Sequence, residues 1–272
     1  MLREQTFDAG AVSLTYVAGP ETGPPLLLLH GVTGRWQAWL PVMPALALRW
    51  QLYALDHRGH GRSGRVPGAY RILDYAADTI AFLRRQVGQP AVVVGHSLGA
   101  IIAIAVAADA PETVRAVVLE DPPLGAFSDQ RLRERAEYAR FLALRELARG
   151  NLALDQLTAA LAPVQPGSDA AALRSRAQAL RQLDPDVLTL IVEDRAKEGF
   201  DLEERLRGIA APVLLLQGNV ALGAALEDDR AARAVGLLRH CTFVRMPNVG
   251  HGLHAGDPLG FCRIVHDFLE SL

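Results

Sequence analysis

The stretch AVVVGHSLG, residues 91–99, decides the fold of this chain. It begins with a continuous apolar run, which is typical of a strand buried on both faces of a parallel sheet. An Ala- and Ile-rich helical pattern follows at once and stops before Pro111. The G-x-S-x-G pattern of residues 95–99 therefore falls on a sharp strand-to-helix turn that lifts the Ser97 hydroxyl above the sheet. The helix N-terminus beneath that hydroxyl supplies free backbone N–H groups and a positive dipole end.

Similar apolar runs recur on both sides of this stretch. Further strands are predicted at 25–30, 51–56, 114–121, 212–217 and 241–246, and an alternating pattern over 6–17 predicts an opening hairpin. Helical patterns separate several of these runs: apolar positions from Trp36 to Leu46 and from Ile72 to Val87 have helical spacing, and Asp257-Pro258 begins a last helix. This alternation predicts an α/β fold with a mostly parallel central sheet and helices on both faces.

The segment from Leu124 to Ile209 interrupts the alternation. It has mainly an Arg/Ala/Leu helical pattern and no strong strand signal. Active-site crevices of open α/β sheets lie at the carboxyl edge of the strands, so a helical insertion at that edge would form a lid. We therefore predict a core of residues 1–123 and 210–272 and a helical cap of residues 124–209.

Composition excludes several classes of protein. The 272 residues are 50% hydrophobic and 21% charged, with 28 basic and 30 acidic side chains, which excludes intrinsic disorder and gives no electrostatic reason to bind nucleic acid or anionic lipid. No apolar run approaches the roughly 18 residues of a membrane span. The N-terminus lacks the apolar region of a secretory signal, so we expect a cytoplasmic protein that acts on a small molecule. The sequence gives no indication of oligomeric state.

A nucleophilic serine needs a base, and His251 is the leading candidate. It lies between the last predicted strand and the last helix, where a loop can return to the carboxyl edge of the sheet. A neutral imidazole there can accept the serine proton and return it to the leaving group. His254 is the alternative base. His57 and His60 beside Asp56 could suggest a metal site, but without further matched ligands we interpret them as a hydrogen-bonded turn and expect no metal.

Four motifs together resemble the α/β-hydrolase superfamily over nearly the whole chain. They are His30-Gly31-Val32, the segment from Asp56 to Ser63, the turn around Ser97 and the Gly250-His251 loop. The resemblance implies the α/β-hydrolase fold and an enzyme that needs no cofactor. It also implies that Ser97 is the nucleophile, that His251 is the base, and that the backbone N–H groups of Val32 and Leu98 form the oxyanion hole.

The acid of the triad departs from the commoner family pattern. Most members carry it a few residues beyond the strand predicted at 212–217, but residues 218–223 contain no carboxylate. Asp121 ends an earlier strand, at the position that some members, haloalkane dehalogenases among them, use for their acid. We hypothesise that Asp121 is the orienting acid. Glu120 remains an alternative, as does the cluster of Glu227, Asp228 and Asp229, although acids also accumulate in the first turn of a helix for dipole reasons.

The sequence says less about the substrate. Trp36 could line the acyl side of the pocket, Trp39 is at least as well explained by core packing, and the insertion offers further apolar candidates in Phe127, Tyr138 and Phe141. No motif carries a basic cluster that would bind phosphate or carboxylate, so we expect an uncharged, moderately apolar ester or lactone.

The resulting prediction is a serine carboxylesterase that works through an acyl-enzyme. A lactonase and a C–C bond hydrolase are alternatives that use the same triad. A hydrolase-like ligand receptor with slow turnover is an alternative of another class. Dehalogenation and epoxide hydrolysis are disfavoured, because those relatives have Asp where this chain has Ser97.

Overall fold

Eight strands form the central sheet of the computed structural model, which describes residues 3–127, 132–135 and 137–272. They are β1 Arg3–Asp8, β2 Ser13–Ala18, β3 Pro25–Leu29, β4 Gln51–Leu55, β5 Ala91–His96, β6 Val114–Glu120, β7 Val213–Gln217 and β8 Cys241–Arg245. The spatial order is β1-β2-β4-β3-β5-β6-β7-β8. Strands β1 and β2 pair antiparallel, β2 is antiparallel to β4, and all remaining pairs are parallel. The mostly parallel α/β sheet predicted from the sequence is confirmed.

Eleven α-helices lie in the described residues. They are α1 Met43–Leu46, α2 Ile72–Phe82, α3 Leu98–Asp109, α4 Glu137–Arg149, α5 Leu154–Leu161, α6 Ala170–Gln182, α7 Pro185–Val192, α8 Leu202–Gly208, α9 Asp228–Leu237, α10 Leu253–Gly256 and α11 Pro258–Glu270. A π-turn, Leu83–Val87, extends α2, and short 3₁₀ turns occur at Trp36–Trp39, Pro111–Thr113, Leu124–Phe127, Leu132–Glu134 and Val220–Leu222. None of the described helices is long and apolar enough to cross a membrane.

Two apolar layers cover the two faces of the sheet. Successive side chains of a strand point to opposite faces, so Leu27 and Leu29 pack with α2 and α3, whereas Leu26 and Leu28 pack with Trp39 and the helix α11. All four leucines are completely buried. Burial on both faces explains why these strands are continuous apolar runs rather than alternating ones.

The helix expected from Trp36 to Leu46 is divided in two. Residues Trp36–Trp39 form a 3₁₀ turn and Met43–Leu46 form α1. Pro41 lies between the two pieces and has no N–H to donate to the preceding turn, which breaks the helical ladder. Trp39 is completely buried in the core, in agreement with the packing interpretation.

The segment between β6 and β7 is helical, and its described residues contain no strand. Helices α4 to α7 contact one another, whereas α8 packs against α3 beside the sheet. Residues 1 and 2 of the predicted core and residues 128–131 and 136 of the predicted cap lie outside the described residues.

A buried ion pair joins α2 to the turn after β4. The Arg58 guanidinium donates from Nε and Nη2 to both oxygens of Asp78 at 2.6 Å, and the two side chains are 5% and 6% exposed. Because Asp78→Asn leaves the Arg58 charge buried without its counter-ion, we expect the free energy of unfolding to fall by about 3 to 5 kcal/mol. Urea denaturation measures this loss. Asp155→Asn, which breaks the exposed pair with Arg174, is the control and should leave the midpoint unchanged, whereas equal midpoints for all three proteins would contradict the prediction.

Candidate active site

Ser97 lies on the sharp turn between β5 and α3, at the carboxyl edge of the sheet. Its backbone has φ 54° and ψ −114°, a conformation that non-glycine residues rarely adopt. A Cβ atom at Gly95 would lie 2.2 Å from the Gly99 carbonyl oxygen, and a Cβ at Gly99 would lie 2.0 Å from the Leu29 oxygen. The two flanking glycines are therefore required for the turn to pack this closely on β3.

Val32 and Leu98, the two expected oxyanion donors, lie near the same turn: Leu98 directly follows Ser97, and a Cβ at Gly31, the residue before Val32, would lie 3.1 Å from Ser97 Cβ. Leu98 is the first residue of α3, so its N–H has no partner within that helix. Val32 lies in a tight turn after β3, in which the Gly34 N–H donates to the Gly31 oxygen at 3.0 Å and Thr33 has φ 65°. Neither N–H has a recorded acceptor among the described residues. Two unused donors at one edge of a sheet suit a developing negative charge.

His251 lies in the loop between β8 and α10 and contacts Asp121. The distance from its Nδ1 atom to Asp121 Oδ2 is 2.7 Å, and the imidazole is 29% exposed while the carboxylate is completely buried. The buried carboxylate fixes a proton on Nδ1, so Nε2 carries the free lone pair. This orientation is the one that a general base needs.

The Asp121 carboxylate is itself held by backbone donors. It accepts N–H groups from Gly218 at 3.2 Å, Ala225 at 2.6 Å and Leu226 at 3.3 Å. Asp121 also has φ 44°, which turns it out of β6, so that the strand ends at Glu120 and not at Asp121 as expected. Residues 218–226 of the loop after β7, which carry no carboxylate, thus bind the carboxylate that follows the neighbouring strand.

The other candidate acids have different partners. Glu120 contacts His254 and not His251. Glu227 precedes α9 and lies within 4 Å of Arg135 and Arg230, Asp228 accepts from Gln217 and Arg245, and Asp229 lies near Arg230. His251 forms no recorded contact with that cluster of three acids.

Ser97 and His251 are linked through His96, the last residue of β5. The His96 Nε2 atom lies 2.9 Å from the His251 carbonyl oxygen, and the two imidazole centroids are 4.6 Å apart. Burial lowers the pKa of His96 to about 3, so its ring is neutral and donates to that oxygen. No hydrogen bond joins the Ser97 hydroxyl directly to His251 in this structure, and such bonds often tighten only when substrate binds.

The four proposed pocket residues are spread over different environments. The Trp36 indole donates to Glu4 at 2.9 Å, the Phe127 ring packs against Phe200, and Tyr138 and Phe141 lie half-buried on α4. None of the four shares a recorded hydrogen bond or ring contact with Ser97 or His251. Phe127 also lines a cleft of about 520 Å³ between the turn after β6 and helices α8 and α9.

His57 and His60 are engaged with the backbone. His57 Nε2 lies 3.0 Å from the His30 oxygen, and His60 Nδ1 lies 2.9 Å from the Arg58 oxygen. Burial lowers the pKa of His57 to about 3 and that of His60 to about 4, so both rings are neutral. The part of the chain that the structure describes holds no group of three His, Cys, Asp or Glu side chains arranged for a metal.

Asp56 is a residue at this edge whose role sequence reasoning missed. Its carboxylate is almost completely buried and accepts the Trp36 N–H at 2.7 Å and the Arg62 N–H at 3.1 Å. The first contact fixes the backbone four residues after Val32. Its position directly after a parallel strand is the signal that could have revealed it.

Asp56 makes a pH-dependent contribution to stability. Burial raises the pKa of Asp56 from 3.8 to about 6, against the two N–H donors, so the folded state binds this proton more tightly than the unfolded state. Ionisation between pH 4 and 6 therefore favours unfolding, and this contribution to stability falls as pH rises through that window. Relative to Asp56→Asn, we expect the wild-type free energy of unfolding to fall by about 2 kcal/mol from pH 4 to 7. Urea denaturation of both proteins at each pH measures it, and a constant difference would contradict the assignment.

Comparison with known proteins supports one family. A family model described as the alpha/beta hydrolase fold matches residues 24–258. The chain is 29% identical to 2-(acetamidomethylene)succinate hydrolase of Mesorhizobium japonicum over 97% of this chain and 94% of that protein. It is 26% identical to pyrrolizixenacetamide deacetylase of Xenorhabdus hominickii over 92% of each chain. The crystal structure of E-2-(acetamidomethylene)succinate hydrolase superposes with a TM-score of 0.80 and 25% identity, covering 99% of this chain and 100% of that one.

Proposed function

The chain belongs to the α/β-hydrolase family, and we propose that it is a cofactor-independent serine hydrolase that cleaves small carboxylic esters. In this proposal Ser97 is the nucleophile, His251 is the general base and Asp121 is the orienting acid. The observation that carries it is the 2.7 Å contact between His251 Nδ1 and a completely buried Asp121, on a loop that His96 ties to the turn bearing Ser97.

Acylation follows from this orientation of His251. Its Nε2 lone pair accepts the Ser97 proton while Oγ forms a bond to the carbonyl carbon of the ester, and the carbonyl electron pair moves to oxygen. The tetrahedral intermediate then collapses to an acyl-Ser97. The bond to the alcohol oxygen breaks, and the imidazolium returns its proton to that oxygen.

The negative oxygen of the intermediate would accept the N–H groups of Val32 and Leu98. Neither donor has an acceptor among the residues that the structure describes, and the positive end of the twelve-residue helix α3 lies beside Leu98. Water activated by His251 then attacks the acyl carbon by the same path, which releases the acid and restores the Ser97 hydroxyl.

The helical segment 124–209 would cover this site. Arg35, three residues after Val32, donates to Gln178 at 2.9 Å and to Gln182 at 3.2 Å, and both glutamines lie on α6. The insertion therefore contacts the loop that carries one oxyanion donor. In the proposal, α4 to α7 form the cap, and Trp36, Phe127, Tyr138 and Phe141 remain the residues proposed to line the pocket.

Amide hydrolysis is a second candidate. The names of both relatives above refer to an acetamide group, and the alignment with each relative covers more than 90% of this chain. The same residues would serve, since the imidazolium can protonate a leaving amine as it protonates an alcohol. Lactones, which the triad opens by the acylation chemistry above, belong to the same substrate panel.

The test is the initial rate of purified protein with p-nitrophenyl butyrate, followed by panels of short-chain esters, lactones and N-acetyl amides. Multiple turnovers that disappear in Ser97→Ala are the expected result. Turnover that survives in the variant would mean that the nucleophile is misassigned. Stoichiometric labelling of Ser97 by a fluorophosphonate without turnover of any panel member would favour the slow ligand receptor instead.

A further inference from the structure

A second carboxylate–imidazole pair lies directly beside the first. Glu120, the last residue of β6, is completely buried, and both of its carboxylate oxygens lie 2.8 Å from His254 Nδ1. The same carboxylate accepts the backbone N–H of His254 at 2.9 Å. Adjacent acids at one strand end thus bind imidazoles three residues apart on one loop, Asp121 with His251 and Glu120 with His254.

The Glu120–His254 pair is buried in the protein interior. The His254 side chain is 5% exposed, and its ring packs at 4.3 Å between centroids on the completely buried ring of Trp39. Burial raises the pKa of Glu120, but the hydrogen bonds from the ring and the backbone N–H of His254 outweigh it and bring the pKa below its ordinary value. Glu120 is therefore ionised at neutral pH, and a group this deeply covered does not reach a substrate.

Glu120 also takes the place of a helix cap. Helix α10 begins at Leu253, and its preceding residue, Gly252, has no side chain to accept the first N–H groups. The Glu120 carboxylate accepts the His254 N–H in the first turn, from a position 134 residues away in the chain. The backbone that follows His251 is thereby fixed to β6.

Three polar contacts hold the four residues from His251 to His254. Asp121 holds the His251 ring, His96 holds the His251 carbonyl oxygen, and Glu120 holds the far end of the segment through His254. The third contact comes from the last residue of β6, the first from the residue that follows it, and the second from β5. The segment is therefore clamped between the strand that leads to Ser97 and the strand that leads to Asp121.

We propose that Glu120 and His254 are positioning residues that fix the His251 loop so that the imidazole meets Asp121 and Ser97 at the same time. The proposal rests on the proposed function of Ser97, His251 and Asp121. It explains why a second acid is buried beside the first at the cost of removing its charge from water. A displacement of the base by about 1 Å is enough to lower a rate by about 10²-fold.

The test is Glu120→Gln. We expect kcat for the best substrate of the panel to fall by about 10- to 100-fold, with KM within about threefold, because the residue holds the base and does not contact substrate. In ¹⁵N-histidine-labelled protein, the proton on His251 Nδ1 should broaden or shift. A role confined to overall stability would leave that signal unchanged in the folded protein.

Asp78→Asn is the matched control. It breaks the buried ion pair with Arg58, which lies in the turn after β4 and away from the ends of β5 and β6 that hold the His251 loop. It should lower stability but leave kcat and the His251 signal unchanged. If Glu120→Gln fails to fold, His254 supplies the second test. His254→Asn keeps a donor near the Nδ1 position and should retain more activity than His254→Leu.

Three results would overturn the proposal. One is a Glu120→Gln protein with wild-type kcat and an unchanged His251 signal, and another is equal activity of the two His254 variants. The third is a shift of about one pH unit in the acidic limb of kcat/KM, which would make Glu120 itself the electrostatic partner of the base. The titratable groups around His251 are Glu120 at the end of β6, Asp121 directly after it, His96 from β5 and His254 from α10. If the wild type has no activity, the proposed function fails, while the His251 signal still decides the positioning role.

Discussion

Ser97→Ala is expected to lower kcat for p-nitrophenyl butyrate by about 10⁵- to 10⁶-fold, the loss seen when a serine hydrolase loses its nucleophile. The substitution removes the only atom that can form the acyl-enzyme in the proposed mechanism. The turn itself should survive, because Gly95 and Gly99 supply its close packing and the Ser97 hydroxyl forms no hydrogen bond with another described residue. The expected protein is therefore folded and inactive.

Stopped reactions over hours, with the melting temperature measured on the same sample, check this result. Ser175→Ala, on the exposed face of α6, is the matched control and should keep the wild-type rate. A fluorophosphonate should add one adduct to wild type and to Ser175→Ala and none to Ser97→Ala. Wild-type turnover in Ser97→Ala would end the assignment of this residue as the nucleophile.

The fold was predictable from the sequence because its strongest signals are local. Residues 25–29, 91–94 and 213–216 are continuous apolar runs, and the structure buries them on both faces of the sheet. The opening hairpin and the last helix with its Asp257 cap depend on turn and capping residues only a few positions apart, and both occur as expected. The prediction of one helix from Trp36 to Leu46 was wrong, because it followed the helical spacing of the apolar residues and gave too little weight to Pro41, which interrupts the helix.

Residues of the candidate site could be proposed from the sequence only where a motif carries them. Ser97 and His251 belong to such motifs, and the contacts among their neighbours do not. His251 meets Asp121 across 130 residues, and His254 meets Glu120 across 134. The sequence placed both acids side by side at one strand end, but a strand register and a loop path decide which imidazole each one meets. The Asp56 contact with the Trp36 N–H is of the same kind.

Asp121→Asn is expected to lower kcat by about 10⁴-fold, the loss that follows when a serine triad loses its acid and the imidazole adopts the wrong tautomer. Asp121 Oδ2 faces two donors, His251 Nδ1 and the Ala225 N–H at 2.6 Å. An amide group turned to place its oxygen there would put its NH₂ against the N–H groups of Gly218 and Leu226. Turned the other way, it would donate to Nδ1 and leave the proton on Nε2, where it prevents His251 from accepting the Ser97 proton.

The control for Asp121→Asn is the cluster of Glu227, Asp228 and Asp229. It follows residues 218–223, where most family members carry the triad acid and this chain has no carboxylate. Glu227→Gln and Asp229→Asn remove charges whose ion pairs, within the described residues, are with arginines, so each should keep kcat within about threefold of wild type, as expected for surface ion pairs. Fluorophosphonate labelling gives a second readout, since Asp121→Asn should slow the labelling of Ser97 together with turnover. A loss below about tenfold in Asp121→Asn would remove this residue from the triad. A large loss in Glu227→Gln would place the acid after β7, and the buried contact between Asp121 and His251 would then serve the loop and not the chemistry.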